Sequence, residues 1–168
     1  MLKNQARTLG LIAIAVSGVT IASCSKDEKP DKVYRSKEYT LKDKANALAG
    51  KVIAQETSDS TFRLTIHLNK STKDTTYNFS IFKGNDHNVL DTVFAVGNIK
   101  SQTTGAAVQA KIDRIDSIVI SETVKKKFTY DSLLKYDGFA RVSFKHKADP
   151  ANPVDSVVAI GGIGKNAQ

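Results

Sequence analysis

The sequence is poor in residues that cross-link small secreted domains or build aromatic binding platforms: it has one cysteine and no tryptophan. A single cysteine cannot form a disulfide within the chain, so a hydrophobic core must hold any folded domain by itself. Five tyrosines without a tryptophan provide little of the flat surface typical of a sugar-stacking site. These scarcities exclude a disulfide scaffold and argue against an aromatic platform for sugars.

Histidine is also scarce, and its spacing predicts no metal centre. The three histidines are His67, His87 and His146, and none of their separations is typical of zinc or copper ligands. No serine lies in a nucleophile-elbow pattern. Gly161-Gly162-Ile163-Gly164 precedes only four residues, so no helix follows it that would bind a phosphate. We therefore predict no metal, no cofactor and no dinucleotide site, and interpret these glycines as a turn at the chain end.

The cysteine itself, Cys24, stands at the end of a leader-like segment. Lys3 and Arg7 precede an uncharged, largely aliphatic run from Thr8 to Ser25, which is the three-part pattern of a signal peptide. Ile21-Ala22-Ser23-Cys24 resembles the leader of bacterial lipoproteins. The resemblance implies that residues 1–23 are removed and that Cys24 carries a lipid. The alternatives are a membrane-spanning helix, for which the run is short and diluted by glycine and serine, and a plain leader that leaves a free thiol.

A charged segment follows the cysteine. Lys26-Asp27-Glu28 resembles the export signal of surface lipoproteins in one Gram-negative lineage, which implies display on the outer membrane. Residues 24–44 as a whole are too rich in charge to bury a core, and we predict a tether there. The alternative is that Lys26, Asp27 and Glu28 are only part of this tether. Residues 45–168 are then expected to form one domain.

The remaining charge pattern favours no nucleic-acid partner. The chain carries a net charge of +8, with local clusters at Lys125-Lys126-Lys127 and Lys145-His146-Lys147. No aromatic platform is interleaved with these clusters, so we expect no binding of nucleic acid. The clusters indicate either a solvated face or attraction to anionic glycans or lipid head groups.

Hydrophobic spacing beyond residue 45 is that of strands. Residues 61–68 alternate without a slip, which predicts Phe62, Leu64, Ile66 and Leu68 in a core with Phe79, Ile81, Val142 and Phe144. Residues 76–81 repeat the alternation, and the polar stretch between the two runs predicts a hairpin. Further runs lie at 49–55, 89–96, 108–112, 117–121, 139–145 and 157–160. The pattern predicts an all-β, antiparallel β-sandwich or Greek-key barrel of about eight strands, with one short helical turn within 129–136.

The C-terminal part of the sequence resembles a known extracellular module. The run from Phe128 to Val142, followed by 157–166, is similar to the CHRD domain of bacterial proteins and of chordin. The resemblance implies an all-β module. Familiar bacterial members carry histidines on a middle strand and late in the strand after the Tyr-Asp-Gly turn. The matching places here hold Ser80-Ile81-Phe82 and Ser143, so any metal role of those histidines is absent from this chain.

Two classes of function remain open from the sequence. Gly84–Asn88 contains Asp86 and His87, which suggest either a ligand loop or an ordinary turn. The leading hypothesis is a non-enzymatic, surface-anchored module that binds an extracellular protein or glycan through loops of a rigid scaffold and the membrane through its lipid. The alternative is a small hydrolase that uses loop carboxylates, for which the candidates are Asp113, Asp116, Glu122 and Asp131.

Overall fold

Alternation of apolar and polar residues builds the sheet of this protein. The computed structural model describes residues 32–85, 88–121, 124–146 and 154–167. In Phe62–Leu68 every second residue is buried and the residues between are half-buried, because successive side chains of a strand point to opposite faces. Within the described ranges the elements are β1 (Ser36–Lys42), β2 (Leu48–Glu56), β3 (Phe62–Leu68), β4 (Thr76–Asn85), β5 (Asn88–Lys100), β6 (Val108–Ile115), β7 (Ser117–Ser121), β8 (Val124–Lys127), α1 (Tyr130–Leu134), β9 (Asp137–His146) and β10 (Val154–Gly164).

Eight of the strands form one antiparallel sheet that curls into a nearly closed barrel. Their order is β5-β4-β9-β10-β1-β2-β3-β6, and the two end strands, β5 and β6, come into contact. Strands β4, β5 and β6 follow one another around the barrel while β3 lies beside β6, which is a Greek-key arrangement. The predicted all-β class is confirmed: the barrel sheet has eight strands, and the described residues contain one short helix.

The core fills the inside of this barrel. The residues predicted to share it are buried, except that Phe144 is half-buried and packs edge-on against Tyr77 with ring centroids 5.9 Å apart. Ser80 and Ser143 alternate with core residues, so they lie on the opposite face of the sheet, as the spacing predicted. The placement of the predicted core is therefore confirmed.

One end of the barrel is covered by α1 and by the β7–β8 hairpin, which forms a separate two-stranded sheet. Phe128 lies between this hairpin and α1, and its ring packs against Phe62 and Phe94 at centroid distances of 6.0 and 5.7 Å. Thr129 caps α1 by accepting a hydrogen bond from the Ser132 N–H. The cap and the aromatic contacts fix this cover to the core.

The predicted hairpin between 61–68 and 76–81 is wrong. β3 pairs with β2 and β6, whereas β4 pairs with β5 and β9. The connection crosses the end of the barrel and bonds to the loop between β5 and β6: Ser71 Oγ lies 2.6 Å from Ser101 Oγ, and Ser71 accepts from the Gly105 N–H at 2.7 Å. Because of these contacts, the chain does not turn back directly from β3 into a paired β4. The free edge of β3 therefore pairs with β6.

The predicted tether of residues 24–44 is too long. β1 occupies Ser36–Lys42, pairs along its length with β2, and buries Tyr39 and Leu41 in the barrel. Two of the three charged residues of β1, Glu38 and Lys42, are exposed beside these apolar residues, so the average composition hides a strand. The domain begins before residue 45, and its compact unit starts at Val33.

Candidate ligand-binding cleft

The seam between β1 and β10 is the least regular part of the sheet. In the described residues these neighbouring strands share a single register pair, Lys42 with Ile160. By contrast, β9 and β10 are paired from one end of the hairpin to the other. A cleft of about 820 Å³, here called the seam cleft, lies along β1 and β10. Its volume is within the range of small-molecule and cofactor sites.

Three parts of the chain line the seam cleft: β1 with the turn after it, the end of β10 with the adjacent Phe139, and the C-terminal turn. The lining residues are Lys37–Thr40, Lys42–Lys44, Asn46, Phe139, Ile160–Gly162 and Lys165–Ala167. Side chains and backbone groups from distant parts of the sequence therefore meet at one opening.

Two glycines of β10 let the backbone segments around the seam cleft approach one another closely. A side chain at Gly161 would collide with the Thr40 carbonyl, and one at Gly162 would collide with the Asn166 carbonyl. Gly161 and Gly162 lie within β10, and Gly164, with φ of +63°, leads into the turn at Lys165. The sequence interpretation of the whole glycine run as a turn is therefore wrong: most of it is strand, and it forms part of the cleft lining.

The C-terminal turn forms one wall of the seam cleft and is fastened to β4 and β9. The Asn166 amide donates to Asp137 Oδ1 at 2.6 Å and to the Gly84 carbonyl at 3.1 Å. Lys165 Nζ lies 3.0 Å from Asp137 Oδ2. The Asn166 hydrogen bond, and after it the Lys165 ammonium, lower the pKa of Asp137. The wall is therefore held by a charged and hydrogen-bonded anchor.

The rim of the seam cleft carries an excess of positive charge. Glu38 is engaged by Lys51 Nζ at 3.0 Å, and Asp43 Oδ1 accepts the backbone N–H groups of Ala45 and Ala47 at 2.8 and 2.9 Å. The rim cations that have no salt bridge within the described part of the chain are Lys37, Lys42 and Lys44. Because both acidic side chains already have partners, the rim favours a ligand with negative charge.

Tyr39 is one of the lining residues, but its side chain points into the barrel and its hydroxyl is buried there. Its side chain is 3% exposed, and its hydroxyl has no hydrogen-bond partner among the described residues. Burial raises the pKa of Tyr39, and the nearby backbone of Gly164 offsets this only in part. Buried polar groups in proteins are nearly always paired, so this hydroxyl is an exception among the described residues.

Several residues singled out from the sequence lie outside the described ranges. They are Cys24, Lys26, Asp27, Glu28, Asp86, His87 and Glu122. The predicted lipid site, export signal and ligand loop therefore stay predictions.

Neither of the two histidines within the described ranges belongs to a group of three or more possible metal ligands. His67 lies on the outer face of β3 opposite Lys51, where burial and then the Lys51 charge lower its pKa and Glu38 partly offsets them. His146 is exposed at the end of β9, with its ring 6.4 Å from that of Phe144. Among the described residues no group of three or more histidine, cysteine or acidic side chains is placed to hold a metal ion.

The three candidate catalytic carboxylates within the described ranges are each engaged by a cation or a hydroxyl. Asp113 binds Arg63 at 2.8 Å, and Asp131 binds Arg35 at 2.8 Å. Asp116 accepts from the hydroxyl of its neighbour Ser117 at 2.9 Å. Asp113 and Asp116 lie at β6 and just after it, whereas Asp131 lies on α1. No pair of these groups is seen to converge on the seam cleft.

A charged network that the sequence did not predict fixes the start of the domain. Arg35 donates to both carboxylate oxygens of Glu56 at 3.0 Å and stacks over the Tyr130 ring at 4.8 Å. Its third contact, with Asp131, joins β1, β2 and α1 at one end of the barrel. The hydrogen bonds that the guanidinium donates to Glu56, and after them the one to Asp131, raise the pKa of Arg35. The partners are distant in sequence, so no local pattern announces the network.

Comparisons with protein-family models, curated proteins and solved structures find no match to this chain. The resemblances to lipoprotein leaders and to CHRD domains therefore stay predictions. In the described part of the chain, no helix has the length and apolar character needed to cross a bilayer.

Proposed function

We propose that this chain is a lipid-anchored, surface-exposed protein whose β domain binds an extracellular ligand in the seam cleft without catalysing a reaction. The observation that carries the proposal is a cleft of about 820 Å³ whose rim has three lysines, Lys37, Lys42 and Lys44, without a salt bridge in the described part of the chain. The leader ending in Cys24 supports the anchor, and Lys26-Asp27-Glu28 supports display on the outer membrane.

The cleft favours an acidic protein segment or an acidic glycan as the ligand. Gly161 and Gly162 form part of the lining, and the Thr40 and Asn166 carbonyls pack closely against them. The three rim lysines that have no salt bridge within the described residues attract carboxylate or sulfate groups.

No observation favours the alternative of a hydrolase. Glycoside hydrolysis needs two carboxyl groups about 5 to 10 Å apart across the scissile bond. The acidic residues that line the seam cleft are Glu38 and Asp43, which are held by Lys51 and by backbone N–H groups respectively. The geometry thus supports recognition of a ligand better than proton transfer to one.

The test is site-specific photo-crosslinking on intact cells that display the full, lipidated protein. A benzophenone amino acid replaces Thr40, an exposed residue of the cleft lining, and in a matched variant it replaces Gln109, an exposed residue of β6 outside the cleft. We expect a discrete crosslinked product from position 40 and none from position 109.

A second change ties the product to the charge of the cleft. Lys42→Glu, introduced together with the crosslinker at position 40, should reduce the yield, because it reverses one of the rim charges. Equal crosslinking from positions 40 and 109, or a yield at position 40 that Lys42→Glu leaves unchanged, would contradict the proposal.

A further inference from the structure

A second opening lies at the covered end of the barrel, between the β7–β8 hairpin, α1 and the start of β9. Its volume is about 270 Å³, and it is here called the basal slot. Among the described residues it has no lining residue in common with the seam cleft. Nothing in the function proposed above uses it.

The floor of the basal slot is apolar and continuous with the core. Ile118, Phe128 and Tyr136 line it. Phe128 is 4% exposed, and its ring lies 5.3 Å from that of Tyr136 in an edge-on arrangement. Because Phe128 also packs against Phe62 and Phe94 inside the barrel, the floor is held in place by core packing.

The rim of the slot is strongly basic. Lysines from three parts of the chain line it: Lys83 of β4, Lys126 and Lys127 of β8, and Lys135 after α1. Within the described ranges no salt bridge joins any of the four to a carboxylate. The acidic residue among the lining residues is Asp137, and its two oxygens are already engaged by Asn166 and Lys165.

We propose that the basal slot binds a small amphiphilic anion, whose apolar part rests on the aromatic floor and whose carboxylate, sulfonate or phosphate faces the lysines. A neutral apolar molecule would leave the four positive charges unused, and a bare phosphate would leave the floor empty. The volume equals roughly nine water molecules at about 30 Å³ each, which limits the bound part to a short chain or one or two rings. A free anionic amphiphile and the end of an anionic lipid share this chemistry.

The experiment measures binding of anilinonaphthalene sulfonate, an aromatic anion that fluoresces in apolar sites, to the full chain in detergent. Octanoate and the neutral 1-octanol are the competitors. We expect octanoate to displace the dye and octanol to compete at least about tenfold more weakly. Binding should weaken as salt rises, because exposed charges are screened over about 10 Å at 0.1 M and about 3 Å at 1 M.

A matched pair of variants locates the site on the molecule. Lys126→Glu reverses a rim charge opposite the lining residue Ile118, whereas Lys125→Glu makes the same charge change opposite the exposed Val119. All three residues of this β8 lysine run are exposed, so both variants should keep the fold, which circular dichroism checks. We expect Lys126→Glu to weaken octanoate binding by about three- to tenfold and Lys125→Glu by less than about twofold.

Vesicles distinguish the two sources of the anion. The ligand is a lipid if vesicles of phosphatidylcholine with phosphatidylglycerol displace the dye from the wild type and vesicles of pure phosphatidylcholine do not. The ligand is a free amphiphile if octanoate displaces the dye and neither kind of vesicle does. Both results support the slot. Equal competition by octanol and octanoate, equal effects of the two lysine variants, or no displacement by octanoate would overturn the proposal.

Discussion

Replacing Tyr39 with Phe removes one hydroxyl that is buried inside the barrel, and we expect the variant to be at least as stable as the wild type. The Tyr39 side chain is 3% exposed and its hydroxyl has no partner among the described residues. A buried polar group that lacks a hydrogen bond costs about 1 to 3 kcal/mol in desolvation. Phe keeps the ring and removes that cost, so the free energy of unfolding should stay the same or rise by up to about 1 kcal/mol.

Tyr77 provides a matched control with the opposite expectation. It is also 3% exposed and in the core, but its hydroxyl accepts the Thr72 N–H at 2.8 Å. Tyr77→Phe should therefore lower the free energy of unfolding by about 0.5 to 1.5 kcal/mol, the usual net value of such a bond. Urea unfolding, followed by far-ultraviolet circular dichroism, measures the free energy of unfolding of both variants on protein produced from residue 25 onward. The same dependence of that free energy on urea concentration is used for both variants.

The pH dependence gives an independent check on the same hydroxyl. Burial raises the pKa of Tyr39 above its usual value of about 10, so this tyrosine ionises first in the unfolded chain. Its contribution to stability is therefore complete below about pH 10 and is lost as the pH rises through the folded pKa. Tyr39→Phe should reduce the loss of stability at alkaline pH. Burial also raises the pKa of Tyr130, so Tyr130 should account for part of the loss that remains in the variant.

Two results would refute this reasoning. If Tyr39→Phe loses as much stability as Tyr77→Phe, the Tyr39 hydroxyl is hydrogen-bonded in the folded protein. If the alkaline loss of stability is the same in the Tyr39 variant as in the wild type, the hydroxyl does not have a raised pKa. The first result would show that the hydroxyl has a partner inside the barrel, and the second that its burial does not penalise the ionised form.

Four further predictions concern the anchor and the core. Cys24→Ala should abolish incorporation of a fatty-acid probe in growing cells; labelling of the variant would show that the lipid is elsewhere. Changing Lys26–Glu28 to alanines should leave that labelling intact but protect the domain from protease added to whole cells, and unchanged cleavage would make these residues mere tether. Leu64→Ala, at a fully buried core position, should lower the free energy of unfolding by about 2 to 5 kcal/mol in urea titrations, and a loss below about 1 kcal/mol would contradict the packing. Gly161→Ala should lower the free energy of unfolding by about 1 to 3 kcal/mol in the same assay, because the added methyl group collides with the Thr40 carbonyl; an unchanged free energy would show that the two strands can move apart to accommodate it.

The fold class followed from the sequence because the sheet is built on a local pattern. A period of two is visible within seven residues, and Phe62–Leu68 combines it with complete burial of one face. The short helix was visible for a similar reason, since Thr129 and the residues after it carry their own cap and apolar contacts. Strand pairing was not predictable in the same way, because the partner of β3 is chosen by packing and loop contacts across the barrel.

The boundary of the domain shows how composition misleads over short stretches. Three of the seven residues in 36–42 are charged, yet Tyr39 and Leu41 are spaced for one face of a strand. The decisive stabilising contacts are also not local: Arg35 is held by Glu56 and Asp131, which follow it at sequence separations of 21 and 96. The charge pattern of a short segment cannot predict ion-pair partners at such sequence separations.

The candidate site could not be predicted from the sequence, for a related reason. The seam cleft combines β1, which the sequence assigned to a tether, with β10, whose glycines the sequence assigned to a chain-end turn. Neither segment contains a histidine or cysteine, and the site combines main-chain surface and lysines with two acidic residues, Glu38 and Asp43, that already have partners. The two strands must lie side by side before these residues form one site. Because the charges without a salt bridge at the rim are cations, and no nucleophile is seen beside a base among the lining residues, we propose that the site holds an anion rather than catalyses a reaction.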